Sequence, residues 1–159
     1  MNDIYATNNN SLARYQAKRL QDLIGEIVDC CQEKTIFQAR KFKLTQAELK
    51  CLLLFKEERY LTVKGLAQKM DVAKSRISKI IDGLVRKKLV QRLNDPEDAR
   101  VILIALTPDG QRQVEAAADF LEDIHHQLLQ ELQEGDRKNV LASLETLRSS
   151  MEVLKSKMV

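Results

Sequence analysis

The fold of this chain is decided by residues 62–106, which read TVKGLAQKMDVAKSRISKIIDGLVRKKLVQRLNDPEDARVILIAL. In the first part of this stretch, apolar residues recur at intervals of three, four and seven positions, which predicts a short helix with one apolar face. These residues are Val63, Leu66, Ala67 and Met70. Residues 71–73 interrupt the pattern, so a turn is predicted before the next helix.

A second helix is predicted over about 74–87. Its apolar residues share one side at about 100° per residue; they are Ile77, Ile80, Ile81, Leu84 and Val85. The opposite side combines short hydroxyls with long cations, which suits a DNA major groove, where these groups reach phosphates and the acceptor edge of guanine. The candidates for DNA contact are Lys74, Ser75, Arg76, Ser78, Lys79 and Arg86. Gly83 is assigned to the same outer half, where a missing side chain permits close approach.

Two β-rich runs, 89–94 and 101–106, follow this helix. The loop 95–100 between them contains Asp and Pro and is typical of a hairpin loop rather than a tight turn. Arg100 is predicted to reach the minor groove, where negative potential is focused and a guanidinium fits. Asp98 is predicted to hold this arginine or the loop in place. Two helices followed by a hairpin have the order of a winged helix-turn-helix with a two-stranded wing.

Six short motifs occur in order along this part of the chain: LA at 66–67, VAKSRISK at 72–79, LV at 84–85, LVQR at 89–92, DPEDAR at 95–100 and LTPDG at 106–110. No one of them is specific, but the ordered set resembles the MarR family of bacterial transcription regulators. The resemblance is dense over about 45–110 and continues as a helical pattern on both flanks. It implies a homodimeric, operator-binding winged-helix protein, often released from DNA by a small molecule or an oxidant.

The sequence departs from the family pattern at three positions. Ala73 occupies the usual Ser N-cap of the second helix and forgoes roughly 0.5–2 kcal/mol of capping. Lys88 occupies a usual Gly position, and a non-Gly residue in a left-handed turn costs about 1 kcal/mol. Ala99 replaces a common basic residue, while Asp98 and Arg100 keep their spacing. These departures predict a less rigid reading head that still binds DNA.

The charge of the chain is unevenly distributed. The whole chain of 159 residues carries a net charge of only +3. Residues 62–100 hold ten Lys and Arg against five Asp and Glu, a local charge of +5, whereas residues 107–159 hold six against ten, a local charge of −4. The basic charge therefore lies in the predicted reading head, as an electrostatic footprint on DNA requires.

The flanks predict long helices around this head. Residues 1–11 are polar and Asn-rich and are predicted to be disordered, and an amphipathic helix is predicted from Leu12 to about Arg40. Thr45 and Glu48 form a capping box at the start of the next helix. The mostly α-helical chain is predicted to be a single domain, 1–159, with a DNA-binding lobe at 45–106.

The C-terminal flank predicts two further helices. Thr107 and Pro108 begin a helix of some 25 residues, which Gly135-Asp136 is predicted to break. A heptad-like apolar stripe then continues to Met158 and needs a partner helix. A head of this size cannot cover all these stripes, so residues 12–40 and 107–158 are predicted to form the stem of a homodimer.

The sequence names no effector site securely. A small aromatic effector is predicted to bind where the stem meets the head, and the candidate residues are Tyr15, Phe37, His125 and His126. Adjacent histidines point about 100° apart on a helix and cannot easily face one ion, so neither a metal nor another cofactor is predicted. Cys30, Cys31 and Cys51 fit free thiols in a reducing compartment, with Cys31 and Cys51 filling apolar positions.

Several classes of function are excluded or kept open by these observations. No phosphate-binding glycine loop, nucleophile elbow or paired-carboxylate motif is visible, so an enzyme is not predicted. The lack of a long apolar run or leader predicts a cytoplasmic protein without membrane contact. The alternatives are an oxidant-sensing or metal-sensing regulator of the same fold, or a helical protein-interaction module that does not bind DNA.

Overall fold

The helix-turn-helix forms where the apolar periodicity predicts it. A computed structural model describes the backbone of residues 3–98 and 100–158 and, apart from residues 3–10, their side chains. Helix α3 spans Val63–Met70, and helix α4 spans Lys74–Arg86. The hydroxyl of Thr62 accepts a hydrogen bond from the Gly65 amide at 3.0 Å and so caps α3. Helix α4 begins after Ala73, whose side chain cannot cap it.

The other helices are long or start at predicted caps. Their bounds are Asp3–Lys41 for α1, Gln46–Leu53 for α2, Pro108–Glu131 for α5 and Glu134–Lys157 for α6, with a 3-10 turn at Leu54–Lys56. The capping box of α2 is present, because Thr45 N donates to Glu48 Oε2 at 2.7 Å and Glu48 N donates to Thr45 Oγ1 at 3.2 Å. The mostly helical fold is confirmed.

The wing sheet has three strands rather than the predicted two. Strands β1 (Tyr60–Thr62), β2 (Val90–Asn94) and β3 (Ile102–Leu106) form an antiparallel sheet in the order β1-β3-β2. In its register, Ile104 of β3 lies between Leu61 and Arg92. Strand β1 was not predicted, because three residues are too few to show an alternating pattern. This strand is stabilised by a partner more than forty residues away in the chain.

The core lies where α2, α3, α4, the sheet and the start of α5 meet. Its fully buried side chains include Leu49, Leu52, Leu66, Ile77, Ile81, Leu84, Ile104 and Val114. The assignment of Gly83 to an open outer face was wrong, because this residue is buried. A Cβ at Gly83 would overlap Oε1 of Glu48 and lie 3.4 Å from its Cδ. The period of a helix places Gly83 near the border between the apolar face and the outer face of α4. The packing of α2 against this border buries Gly83.

Two predictions on the flanks were wrong. Helix α1 begins at Asp3 rather than Leu12, because extending an existing helix avoids the cost of nucleation; Met1 and Asn2 lie outside the described residues. The Gly135-Asp136 pair lies inside the first turn of α6, and the chain breaks at Leu132 and Gln133 instead. The acidic residues Glu134 and Asp136 stabilise the first turn of α6, because they complement the positive end of the helix dipole.

Apolar side chains remain exposed along both terminal helices. The chain forms two compact units, one ending at Ala117 and one beginning at Ala118. In the second unit, α6 is wholly described and has no buried residue, and its apolar side chains line a cleft of about 580 Å³. In the first unit, α1 exposes an apolar stripe that includes Leu20, Leu23, Ile27 and Val28. No helix in the described part of the chain is long and apolar enough to span a membrane.

Candidate nucleic-acid interface

Helix α4 separates an apolar face from a cationic face. Ile77, Ile81 and Leu84 have no exposed surface. On the other face, five of the six predicted contact residues are exposed, namely Lys74, Ser75, Arg76, Lys79 and Arg86. Ser78 is half-buried, and its hydroxyl donates to the carbonyl of Lys74 at 2.9 Å. The cations at the first turn of α4 add to the positive potential of the helix N-terminus, which favours an anionic partner.

An ion pair joins the wing to α4. Nη2 of Arg92, on β2, lies 2.6 Å from Oδ1 of Asp82, on α4. Both side chains are nearly half exposed, so the pair adds little to stability but orients the wing strand against the helix. Sequence reasoning did not find this contact. The sequence shows a cation on β2 and a carboxylate on α4. Whether the two face each other depends on how the two elements are placed in the fold, and the sequence does not show this.

The wing tip holds Arg100 in a defined position. One carboxylate oxygen of Asp98 accepts hydrogen bonds from the backbone amide and Nε of Arg100, both at 3.0 Å, and the other accepts from Nη2 at 3.2 Å. The side-chain hydrogen bond from Arg100 is the main reason that the pKa of Asp98 lies below its ordinary value. The Arg100 side chain is 91% exposed. Asp98 thus holds Arg100 within the protomer, and its role relative to DNA stays a prediction; Ala99 lies outside the described residues.

The joint between the head and α5 is tightly built. The hydroxyl of Thr107 donates to the carbonyl of Lys88 at 2.6 Å and accepts from the amide of Gly110 at 3.0 Å. Lys88 has a φ of 60°, so the predicted left-handed residue is present without glycine. A Cβ at Gly110 would overlap the carbonyl oxygen of Leu89 and lie 2.9 Å from its carbonyl carbon. Gly110 therefore permits the close approach of α5 to the head.

The four candidate effector residues do not form one group within the chain. Tyr15 and Phe37 are exposed on α1, about 33 Å apart along a continuous helix with a rise of 1.5 Å per residue. One small ligand cannot contact both in the same protomer. His125 and His126 are exposed on α5. Within the described residues, no group of three or more His, Cys, Asp or Glu side chains could hold a metal ion.

A polar cleft lies where the end of α1, the end of α4 and the start of α5 meet. It has a volume of about 420 Å³ and is lined by residues that include Phe42, Lys87, Leu89, Arg112 and Gln113. The side-chain amide of Gln113 donates to the carbonyl of Phe42 at 2.9 Å, and Arg112 pairs with Asp109. A cleft was predicted among α1, α2 and α5; in this one the end of α4 takes the place of α2, and none of its lining residues was predicted.

The three thiols differ in their surroundings. Cys51 is fully buried, as predicted, and burial raises its pKa to about 12, so it is not a reactive thiolate at neutral pH. Cys30 and Cys31 are exposed on α1. Cys31 keeps its predicted place on the apolar stripe of α1, but this stripe is exposed in the protomer.

A recognition helix with a cationic face, a preceding helix across a tight turn and an antiparallel wing define a winged helix-turn-helix protein. Residues 44–102 match the model of the MarR family. Residues 44–102 are therefore a MarR-family domain.

The chain resembles individual regulators over part of its length. It is 38% identical to the uncharacterized HTH-type transcriptional regulator YsmB of Bacillus subtilis over 55 residues, which are 35% of this chain and 38% of YsmB. It is 32% identical to the HTH-type transcriptional repressor MdtR of the same organism over 79 residues, which are 50% of this chain and 51% of MdtR. The chain thus spans about half or less of the length of these two relatives.

The fold continues beyond the region of sequence similarity. A mutant of MepR from Staphylococcus aureus has a TM-score of 0.76 at 26% identity and covers 82% of this chain and 97% of its own. MepR in complex with DNA has a TM-score of 0.68 at 25% identity and covers 82% of this chain and 98% of its own. The similarity in structure therefore includes the terminal helices as well as the head.

Proposed function

We propose that this protein is a transcription regulator that binds DNA as a homodimer on an imperfect palindromic operator, as a repressor in the cytoplasm, and that it is not an enzyme. The observation that carries the proposal is the division of α4, whose apolar residues Ile77, Ile81 and Leu84 are fully buried while Lys74, Arg76 and Lys79 are exposed. The MepR–DNA complex and the repressor MdtR support it by similarity. A protein-interaction module would have no need for this cationic face.

The proposed contacts come from two elements. Helix α4 offers Lys74, Ser75, Arg76, Ser78, Lys79 and Arg86 to the major groove, and the wing offers Arg100 to the minor groove. Asp98 holds Arg100 rather than contacting DNA. Because the hydroxyl hydrogen of Ser78 is used within the helix, this residue offers only an acceptor and a small surface for close approach.

The proposed homodimer is supported by the apolar stripes of the terminal helices. Exposed apolar stripes of this extent mark interaction surfaces, and a symmetric stem built from 12–40 and 107–158 would cover those on α1 and α6. Each protomer then contributes one DNA-binding lobe, 45–106. Two recognition helices on one stem enter successive major grooves on the same side of the duplex.

We expect a dimer in sedimentation experiments at micromolar concentration. We also expect a footprint with dyad symmetry on DNA upstream of the protein's own gene, with half-site centres about 10 to 10.5 bp apart. Met151→Glu should weaken the dimer, because it places a charge on an exposed apolar stripe of α6, whereas Ser150→Glu next to it should have a smaller effect. A monomeric wild type, or a footprint without symmetry, would contradict the proposal.

We also propose that a small, largely apolar ligand regulates the protein at the junction of stem and head. Tyr15, Phe37, His125 and His126 remain the candidate residues, with the limit that Tyr15 and Phe37 of one protomer cannot share a ligand. Such a ligand acts only through its different affinity for two arrangements of the heads. Release by about 100-fold requires about 2.7 kcal/mol of coupling.

An oxidant is the second candidate signal. It is favoured by the exposure of Cys30 and Cys31. It is also favoured by similarity to the organic hydroperoxide resistance transcriptional regulator of Bacillus subtilis. The two sequences are 30% identical over 80 residues, and these residues make up 50% of this chain and 54% of that protein. A thiol sensor needs an accessible sulfur, and both thiols are exposed in the protomer.

One assay separates the two signals. Operator affinity is measured with a panel of aromatic acids and phenols, with zinc, and with an organic peroxide. We expect release by a member of the panel, and the same response in a Cys30→Ser, Cys31→Ser double variant. Release by peroxide alone, lost in the double variant but kept in Cys51→Ser, would establish the thiol mechanism instead. Release by zinc alone would favour a metal sensor.

A further inference from the structure

Glu48 is a buried carboxylate that the proposed DNA contacts do not use. Among the described side chains, only Gln38 and Glu48 are both polar and buried, and the residue Glu48 is 6% exposed. A buried charge is costly unless it is paired and hydrogen-bonded. The groups that surround Glu48 therefore indicate what this carboxylate does in the fold.

Three segments of the chain meet at this carboxylate. Oε2 of Glu48 accepts hydrogen bonds from the amide of Thr45 at 2.7 Å and from Nζ of Lys87 at 2.6 Å. The same ammonium group donates to the carbonyl of Lys43 at 3.0 Å, just beyond the end of α1. Oε1 lies against Gly83 of α4, in the space that a larger residue would fill. One ammonium thus links the end of α4 to the turn between α1 and α2.

The carboxyl of Glu48 has a lowered pKa because of its hydrogen bonds. Burial alone raises the pKa of Glu48, but the hydrogen bonds from Lys87 and Thr45 outweigh it and leave the pKa below the ordinary value of 4.5. A carboxyl with a lowered pKa contributes stability at every pH above its unfolded value and loses it as the pH falls through the folded value. The link is therefore complete at neutral pH.

We propose that Lys87 is a positioning residue: through Glu48 and Lys43 its ammonium sets the angle of the recognition helix α4, and it does not contact DNA. The proposal rests on the proposed DNA-binding function. Apolar packing of α4 is non-directional and tolerates small rotations, whereas a charged hydrogen bond has a preferred geometry. The pair at the end of α4 therefore fixes the orientation that the apolar face leaves free.

The position of Lys87 supports this role. Lys87 follows the last residue of α4, about 20 Å along the axis from Lys74, and Arg86 is the only proposed DNA contact at this end of the helix. Its ammonium is already held by a carboxylate and a carbonyl. In the sequence, Lys87 is one of three consecutive basic residues, so it looked like part of the electrostatic footprint.

The test compares binding to the operator with binding to unrelated DNA over a range of salt concentrations. The variants are Lys87→Met, Glu48→Gln and the double variant; Gln keeps the capping box. The control is Lys50→Met, which removes one exposed charge from α2. Circular dichroism confirms that every variant is folded at the assay temperature, and a Lys87→Gln variant replaces Lys87→Met if the latter does not fold.

We expect Lys87→Met to weaken operator binding about 10-fold and to leave affinity for unrelated DNA within about twofold, because non-specific binding depends on phosphate contacts, to which Lys87 does not belong, rather than on the orientation of α4. The salt dependence should not change. Glu48→Gln should also weaken operator binding. The double variant should bind the operator as Lys87→Met does, since both changes remove the same contact between Glu48 and Lys87.

Three results would overturn the inference and leave the proposed function in place. A lower salt slope, by about one phosphate contact, would show that Lys87 binds DNA directly. An equal loss of affinity for operator and unrelated DNA would show that the pair acts through stability or overall charge and not through the orientation of α4. Wild-type operator affinity in both single variants would show that the pair does not position α4. A wild type that binds no operator would overturn the proposed function and this inference with it.

Discussion

Gly110→Ala is expected to lower the free energy of unfolding by about 3 kcal/mol or more, the upper range for overpacking of a close contact. The added Cβ would overlap the carbonyl oxygen of Leu89 and lie 3.2 Å from Cδ2 of Leu106. The side chain of Leu106 is flexible and could move away from the added Cβ, but the backbone carbonyl of Leu89 cannot. Helix α5 must therefore shift away from Leu89.

This shift would affect more than packing. It would strain the hydrogen bond from the Gly110 amide to Thr107, and Thr107 also holds the carbonyl of Lys88 in its left-handed turn. We therefore expect operator affinity to fall together with stability. Thermal unfolding should show a midpoint lower by roughly 6–12 °C, at about 2–4 °C per kcal/mol for a chain of this size.

Gly135→Ala is the matched control, because Gly135 also lies in the first turn of a long helix but has no atom within 4 Å of the position of a Cβ. This change should leave stability unchanged or raise it by up to about 1 kcal/mol, since Ala favours a helix over Gly. If Gly110→Ala unfolded within about 0.5 kcal/mol of wild type, the close approach of α5 to Leu89 would be refuted.

Arg100→Ala is expected to weaken operator binding roughly 5- to 150-fold, the range for loss of a specific arginine contact with DNA. The side chain is 91% exposed and packs against nothing in the core, so thermal unfolding should not change. Asp98→Ala should cost less, because it removes the hydrogen bonds that hold Arg100 but keeps its guanidinium. Affinity is measured by fluorescence anisotropy at physiological salt.

The control for the wing is Arg112→Ala, which removes the charge of another exposed arginine on α5. It separates a local contact of Arg100 from the general effect of one positive charge. Equal operator affinity for wild type and Arg100→Ala, or an equal loss in Arg112→Ala, would show that the wing does not read the minor groove.

Much of the fold could be predicted from local patterns. The bounds of α3 agree with the prediction, and those of α4, β2 and β3 differ by one residue at one end, because their apolar residues repeat with the period of a helix or a strand. The capping box of α2 and the start of α5 at Pro108 were also predicted, since caps depend on neighbours within three or four residues. The ordered motifs around these elements were sufficient to indicate the family.

Other features depend on contacts between distant residues. The strand β1 is too short to show a period and is formed by pairing with β3. The pairing of Asp82 with Arg92 requires the wing to lie beside α4. The effector candidates Tyr15 and Phe37 both fit an apolar pattern, but only the continuity of α1 shows how far apart they lie.

The sequence by itself therefore determined the order of the helices and strands, the apolar face of α4 and the residues of its cationic face, since these follow from periodicity and residue type over a few turns. Only the tertiary structure decided that Gly83 is buried against Glu48 and that Lys87 pairs with this carboxylate instead of joining the basic face. The physical reason is that the ammonium of Lys87 binds a carboxylate 39 residues away in the chain. Local sequence patterns extend over a few turns only and cannot predict such a contact.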